Sequence, residues 1–277
     1  MTLPPGASEA RPVGGGDINE AFHVVLADGR EAFVKTRADA AQGEYASEAA
    51  GLEWLAEPGA LRVPGVLAVD DGYLALDWVE PGGLGAAGEE ELGRGLATLH
   101  GAGAPGFGAF SEDEDDRAWL GSLRVPNART DDWPTFYAQR RLQPLSRLAS
   151  ERGALGAGGW RAVERVCERL PELCGPAEPP ARLHGDLWSG NVLGDEQGRP
   201  WLIDPSAYGG HREVDLAMLA LFGDATRTIA AYEEATPLAD GWRERVGLYQ
   251  LLPLLVHAAL FGGSYVQSAE RMAHRYS

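Results

Sequence analysis

Residues 183–205 read LHGDLWSGNVLGDEQGRPWLIDP, and three side chains in this stretch set the terms for the rest of the chain. Asp186 and Asn191 stand five residues apart, and Asp204 lies thirteen beyond Asn191. Gly185 and Gly190 permit tight bends, while residues 192–193 and 201–203 are short apolar runs separated by the turn formers Gly194, Asp195 and Gly198. The expected shape is a loop, then a hairpin, with Asp204 at the hairpin's exit. An Asp, an Asn and a second Asp in this order match the needs of phosphoryl transfer. One acid positions or deprotonates an acceptor hydroxyl, and the other two groups hold Mg²⁺ on nucleotide phosphates.

Such a site needs a cation, and the basic residues offer an unusual one. Of the 24 basic residues 23 are arginine; Lys35 is the only lysine. It lies near the end of the alternating run REAFVKT, and a compact ammonium on a flexible stem suits a phosphate contact better than a flat guanidinium. Residues 21–26 and 31–35, joined by Asp28-Gly29, form a hairpin. Before it lies RPVGGGDIN, residues 11–19, where Gly14, Gly15 and Gly16 would let backbone N–H groups approach phosphates. This is not a Walker loop, because Val34 stands where that motif requires glycine before its lysine.

Residues 40–57 are expected as a helix, with Tyr45, Ala49, Leu52 and Leu55 at helical spacing and Pro58-Gly59 ending it. Glu48, thirteen residues after Lys35, is the favoured partner for the ammonium; Glu44 and Glu53 compete with it. Two further strands, 63–69 and 73–79, complete a small sheet, and residues 80–83, EPGG, are the candidate hinge. Asp77, Trp78 and Val79 would then offer backbone groups to an adenine ring between two lobes.

The character then turns helical. Residues 89–100 carry Leu92, Leu96 and Leu99 as an apolar stripe, with His100 as a helix-end residue. Residues 107–130 are expected as an irregular connection whose acidic run EDEDD is a solvated loop or borders a substrate entrance. Asp131-Asp132-Trp133-Pro134 starts a helix carrying Phe136, Tyr137, Arg140, Arg141 and Leu142, and another spans residues 160–173. Tyr208 to Glu213, YGGHRE, is expected as a turn opening a helix through Asp215, Met218 and Phe222, and helices fill the chain from residue 225.

Composition bounds the function. A formal charge of −17 excludes a general nucleic-acid or anionic-membrane partner, so a nucleotide must be held by a local cation. Cys167 and Cys174 have neither disulfide-framework nor zinc spacing and are expected as reduced, buried thiols. Residues 246–262 are interrupted by Gln250, Pro253 and His257, which fits a buried helix better than a membrane span. The start of the chain has no secretory pattern, and a cytoplasmic setting is expected.

HGDLWSGN, then IDPS, then YGGHREVDLAMLALFG resemble the fructosamine kinase and ketoamine kinase family, and WPTFYAQRRLQP and the GGGDIN loop extend the likeness over nearly the whole chain. The resemblance implies a bilobal, α+β protein-kinase-like fold related to aminoglycoside phosphotransferases. Its small antiparallel-sheet lobe with one helix is expected over residues 1–80, and its larger, mainly helical lobe over residues 81–277. It implies ATP- and Mg²⁺-dependent phosphorylation of the 3-hydroxyl of a small or protein-bound ketoamine, such as a fructosamine, ribulosamine or erythrulosamine, a step toward deglycation. By position, Lys35 would hold phosphates with Glu48 orienting it, Asp186 would serve as base, and Asn191 and Asp204 would bind Mg²⁺. His184 and Asp215 would support the catalytic loop. Trp188 would either present its face to the sugar or pack in the core. His211 and Arg212 would contact substrate or fix their turn. A monomer or a homodimer is expected.

Two departures from the family pattern stand out. Only about a dozen residues precede Gly14, where relatives often begin with a helix, and Asp17 stands where some eukaryotic relatives carry a loop cysteine. An aminoglycoside or choline phosphotransferase uses the same polar set, and an inactive nucleotide-binding protein is the reading from a different class. A protein kinase is disfavoured, because neither DFG nor APE is present.

Overall fold

A computed structural model describes residues 2–14, 19–111 and 117–277. The first part of the chain builds an antiparallel sheet from β1 (Ser8–Pro12), β2 (Glu20–Val25), β3 (Glu31–Thr36), β4 (Val66–Asp70) and β5 (Tyr73–Asp77), in the order β1-β2-β3-β5-β4. One helix, α1 (Glu44–Ala56), crosses it. The helix expected from residue 40 starts at Glu44, after a turn in which Glu44 N–H bonds to Ala41 C=O.

Strand alternation sorts β3 between two cores. Ala32 and Val34 are fully buried on one face, packed with Val24, Tyr73 and Ala75. Phe33 lies on the other face, against Tyr45, Ala49 and Leu52 of α1. Because side chains alternate, Lys35 shares the Phe33 face and points at the helix.

The chain then enters a short strand, β6 (Pro81–Gly82), and a long helix, α2 (Gly85–Gly101). The expected hinge is therefore no free tether. β6 pairs with β10 (Val192–Asp195), which pairs with β11 (Pro200–Leu202), so the linker is stitched to the hairpin that follows the catalytic loop. Residues 107–130, expected to be irregular, contain a hairpin, β7 (Arg117–Leu120) and β8 (Leu123–Pro126), with Ala118, Leu120, Leu123 and Val125 buried. The EDEDD run lies outside the described residues.

Asp132 caps α3 (Trp133–Phe136) by accepting from Thr135 N–H at 2.9 Å. The helix does not continue regularly. Residues Tyr137–Leu142 form π-type turns before α4 (Gln143–Glu151). Pro144 has no N–H to offer the Arg140 carbonyl, which accepts from the Arg141 guanidinium at 3.0 Å instead. Arg141 is fully buried, its guanidinium lying over the rings of Phe136 and Tyr208.

The remaining elements are α5 (Ala157–Leu173), β9 (Ala181–Leu183), β12 (Tyr208–Gly210), α6 (Glu213–Leu219), α7 (Thr226–Ala235), α8 (Trp242–Phe261) and α9 (Ser264–Tyr276). Half of the expected YGGHRE turn is strand, since Tyr208–Gly210 pairs with β9. The largest core joins α3, α4, α5, α8 and α9, and Cys167 and Cys174 are free thiols buried in it. A second core ties Trp54, Leu55 and Leu61 to α2 and to Leu187 and Leu202, which locks the sheet region onto the catalytic hairpin. Among the described residues, no helix is long and apolar enough to cross a membrane.

Candidate active site

The catalytic loop begins where β9 ends. Gly185 adopts φ +82°, and a Cβ there would overlap the Ser206 carbonyl, so only glycine fits the bend. Fully buried Asp215, in the first turn of α6, accepts from the backbone N–H groups of His184 at 2.8 Å and Gly185 at 2.9 Å. His100 of α2 adds a third contact, Nε2 to Asp215 at 3.3 Å, and holds Tyr232 through Nδ1. Burial pushes the Asp215 carboxyl up, but these donors more than offset it and hold it below the usual range. His184 Nε2 meets the Ile203 carbonyl at 2.9 Å, and its Nδ1 accepts from Asp186 N–H. His184 and Asp215 thus shape the loop from behind. The sequence offered no signal for His100, whose partner is 115 residues away.

This frame presents a cluster of polar groups on a cleft of about 210 Å³, whose walls include Lys35, Glu48, Asp186, Trp188, Asn191 and Asp204. Lys35 Nζ bridges Glu48 Oε2 and Asp204 Oδ1, the latter at 3.0 Å. Desolvation opposes the Lys35 charge, yet Asp204 and Glu48 outweigh it and raise the ammonium's pKa. The competition on α1 is resolved by geometry. Glu44 is held by Arg37 at 2.7 Å, Glu53 faces solvent, and Glu48 alone reaches the ammonium. Burial moves Glu48 up to about 7.

Asn191 Nδ2 donates to the Asp186 carbonyl at 2.8 Å, to Asp186 Oδ2 at 3.1 Å and to the Asp204 carbonyl at 3.4 Å. Asp204 adopts φ +53°, a sparsely populated region for a residue with a side chain. Burial, then the neighbouring Asp204 charge, pushes Asp186 up to about 7. The donor set fits a hard divalent cation. The amide nitrogen of Asn191 is fully used and one Asp204 oxygen meets Lys35, while Asn191 Oδ1 and Asp204 Oδ2 have no protein donor among the described residues. No group of three His, Cys, Asp or Glu side chains among the described residues could hold a metal alone. Mg²⁺ bound through few protein oxygens plus phosphate oxygens is consistent with both facts.

A second cavity, about 350 Å³ and mainly apolar, opens behind Asp204 and is lined by Gly14, Phe33, Leu76, Asp77, Trp78 and Val79, among others. Neither the N–H nor the C=O of Val79 has a backbone partner among the described residues, whereas Asp77 N–H is taken by Gly65. The Trp78 indole donates to Glu80 at 2.8 Å. Gly15, Gly16 and Asp17 lie outside the described residues.

Trp188 is 39% exposed on the cleft wall, edge-on to Phe222. A Cβ on Gly190 would overlap its indole, so that glycine is what admits the ring. His211 and Arg212 do not reach the cleft. His211 is buried, stacked on Tyr249 and bonded through Nδ1 to Glu213 N–H, and burial lowers its pKa to about 4. Arg212 holds Glu178 with two bonds, at 2.7 and 2.8 Å. Of their two expected roles, the geometry supports fixing the turn. The sequence missed Trp119 on β7 and the α8 residues Leu252, Val256 and Phe261, all of which line the cleft.

A lysine–glutamate pair on a sheet and its helix, facing an Asp, an Asn and a second Asp on a loop and hairpin, defines a phosphotransferase of protein-kinase-like fold. The choline kinase LicA of Streptococcus pneumoniae shares that fold, with a TM-score of 0.62 at 17% identity over 98% of this chain and 94% of that one. Within the class, the chain belongs to the fructosamine kinase family, whose model matches residues 4–277. It is 34% identical to the chloroplastic protein-ribulosamine 3-kinase of Arabidopsis thaliana, over 95% of this chain and 81% of the relative. A solved structure from Thermobifida fusca, provisionally assigned as a fructosamine-3-kinase, superposes with a TM-score of 0.89 at 43% identity, covering 98% of this chain and 93% of that one.

Proposed function

We propose that this protein transfers the γ-phosphoryl group of ATP to the 3-hydroxyl of a ketoamine, as a step in deglycation. One observation carries the reading. Lys35, Glu48, Asp186, Asn191 and Asp204, drawn from regions up to 169 residues apart, converge on one cleft. Family membership supplies the substrate class.

In this reading Asp186 receives the hydrogen bond of the acceptor hydroxyl and then its proton, with a carboxyl already shifted toward neutral pH. Lys35, held by Glu48, neutralises nucleotide phosphates. Val79 offers its N–H and C=O to the adenine edge in the apolar cavity, with Asp77, Trp78 and Gly14 as walls. Asn191 Oδ1 and Asp204 Oδ2 would hold Mg²⁺, which supplies charge neutralisation on the transferring group. Trp188 covers the reacting hydroxyl and excludes water. The proposed lobe boundary near residue 80 is supported by the placement of β1–β5 and α1 before it.

Incubation with Mg-ATP and a ribulosamine, followed by mass spectrometry, is expected to show a 3-phosphate. Turnover of an aminoglycoside or choline, with none of any ketoamine, would replace this substrate assignment.

A further inference from the structure

The cleft has two chemically different ends. Around Asp186 it is lined by charged and amide groups, and toward α8 it is lined by Leu252, Val256, Leu260 and Phe261, with Met218 of α6 beside them. Leu252, Val256 and Leu260 recur at four-residue steps, and Phe261 lies on the adjacent row, above His257, so two neighbouring rows of α8 form this wall. Four large apolar side chains are prominently exposed among the described residues, and two of them, Trp188 and Phe261, lie on this one cleft. Phe261, 50% exposed, rests on His257 at 5.6 Å and on Tyr265 at 6.4 Å between ring centroids. It is a supported surface, and exposed apolar area concentrated at a site marks something that binds there.

We propose that this apolar end is the subsite for the substituent on the ketoamine nitrogen, and that Phe261 makes the enzyme select longer alkyl chains on that nitrogen. The inference rests on the ketoamine reading. A ketose chain bears hydroxyls on C3, C4 and beyond, and each loses hydrogen bonds to water unless a polar partner replaces them. The apolar side chains of the α8 wall offer none, and the imidazole among them, His257, already meets the Pro253 carbonyl through Nδ1 at 2.8 Å. Asn19 and Ser47, on the sheet side of the same cleft, do offer polar partners. With the C3 hydroxyl at Asp186, C4 and C5 run toward those groups. The nitrogen, carried on C1, leaves in the opposite sense, past Trp188. An alkyl chain on it then lies along Leu252, Val256 and Phe261, burying methylene area on both partners.

The test uses the full-length protein with Mg-ATP and a series of 1-alkylamino-1-deoxyribuloses bearing methyl, butyl and hexyl groups. Burial of each methylene should raise kcat/KM roughly fourfold, so butyl should exceed methyl by about sixtyfold. Phe261→Ala should flatten that dependence, and Phe261→Leu should restore part of it. A flat series in the parent protein overturns the subsite, as does a slope unchanged in Phe261→Ala. If no member of the series is phosphorylated, the ketoamine assignment itself falls and the subsite with it. Phosphorylation independent of chain length removes the subsite alone.

Discussion

The catalytic loop and hairpin, from His184 to Asp204, and the YGGHRE segment that follows them are both dense in polar side chains, yet they use those groups in opposite ways. In YGGHRE every charge is consumed inside the fold. Arg212 grips Glu178, and Glu213 is held by Arg245 at 2.6 and 2.9 Å. In the loop and hairpin, capacity is left over. Asn191 Oδ1 and Asp204 Oδ2 lack protein donors among the described residues, and across the cleft from them Glu48 Oε1 of α1 is buried without one. Distinctive sequence is therefore no guide to chemistry by itself; unfilled hydrogen-bonding capacity facing a cleft is.

The sharpest way to break that contrast is Asp186→Ala. It should lower kcat by on the order of 10²–10⁴-fold while ATP binding and unfolding stability stay near those of the parent. Turnover within tenfold of the parent would remove Asp186 from the chemistry. Arg245→Met should do the reverse. It leaves Glu213 buried without its partner, at a cost of about 3–5 kcal/mol in urea unfolding, with kcat per folded molecule unchanged. A large loss of kcat in the folded variant would mean that the segment reaches the reaction after all.

A pH titration sharpens the same point. Burial holds His211 at about 4, below its unfolded value near 6.5, so the unfolded chain takes up this proton first as pH falls. Its neutral burial therefore contributes fully above about pH 6.5, and the contribution is lost as pH drops toward 4, by about 3 kcal/mol in all. His211→Asn keeps an acceptor for Glu213 N–H and cannot protonate. The stability difference between parent and variant should shift by that amount between pH 7.5 and 4; a constant difference would show that His211 is not held neutral.

Local signals made the sheet and the polar set legible. The alternation in residues 31–35, the Asp28-Gly29 turn and the single lysine placed Lys35, and the thirteen-residue separation from it singled out Glu48 on the helix that helical spacing had marked. What stayed hidden depends on contacts with no periodic trace. The β6–β10 pairing spans two residues of each strand, His100 meets Asp215 across 115 residues, and β7–β8 consists of four-residue strands beside an acidic run. The apolar stripe of α8 was read correctly as buried helix, but its last turns carry cleft wall as well as core. Periodicity cannot tell an apolar residue facing a core from one facing a ligand.

Trp188 is the intermediate case, a distinctive residue whose indole makes no hydrogen bond to the described residues yet stands on the cleft. Trp188→Leu should raise the ketoamine KM about fivefold, the equivalent of roughly 1 kcal/mol of lost ring contact, with little change in unfolding. Gly190→Ala provides the matched perturbation from outside the binding surface, because the added methyl occupies the space of the indole and must displace it. The two variants should therefore raise KM alike, and combining them should add little, since the second change acts on a ring the first has already removed. A normal KM in Gly190→Ala, with its indole fluorescence shifted, would mean that the position of Trp188 does not matter to substrate and that its role is to pack against Phe222.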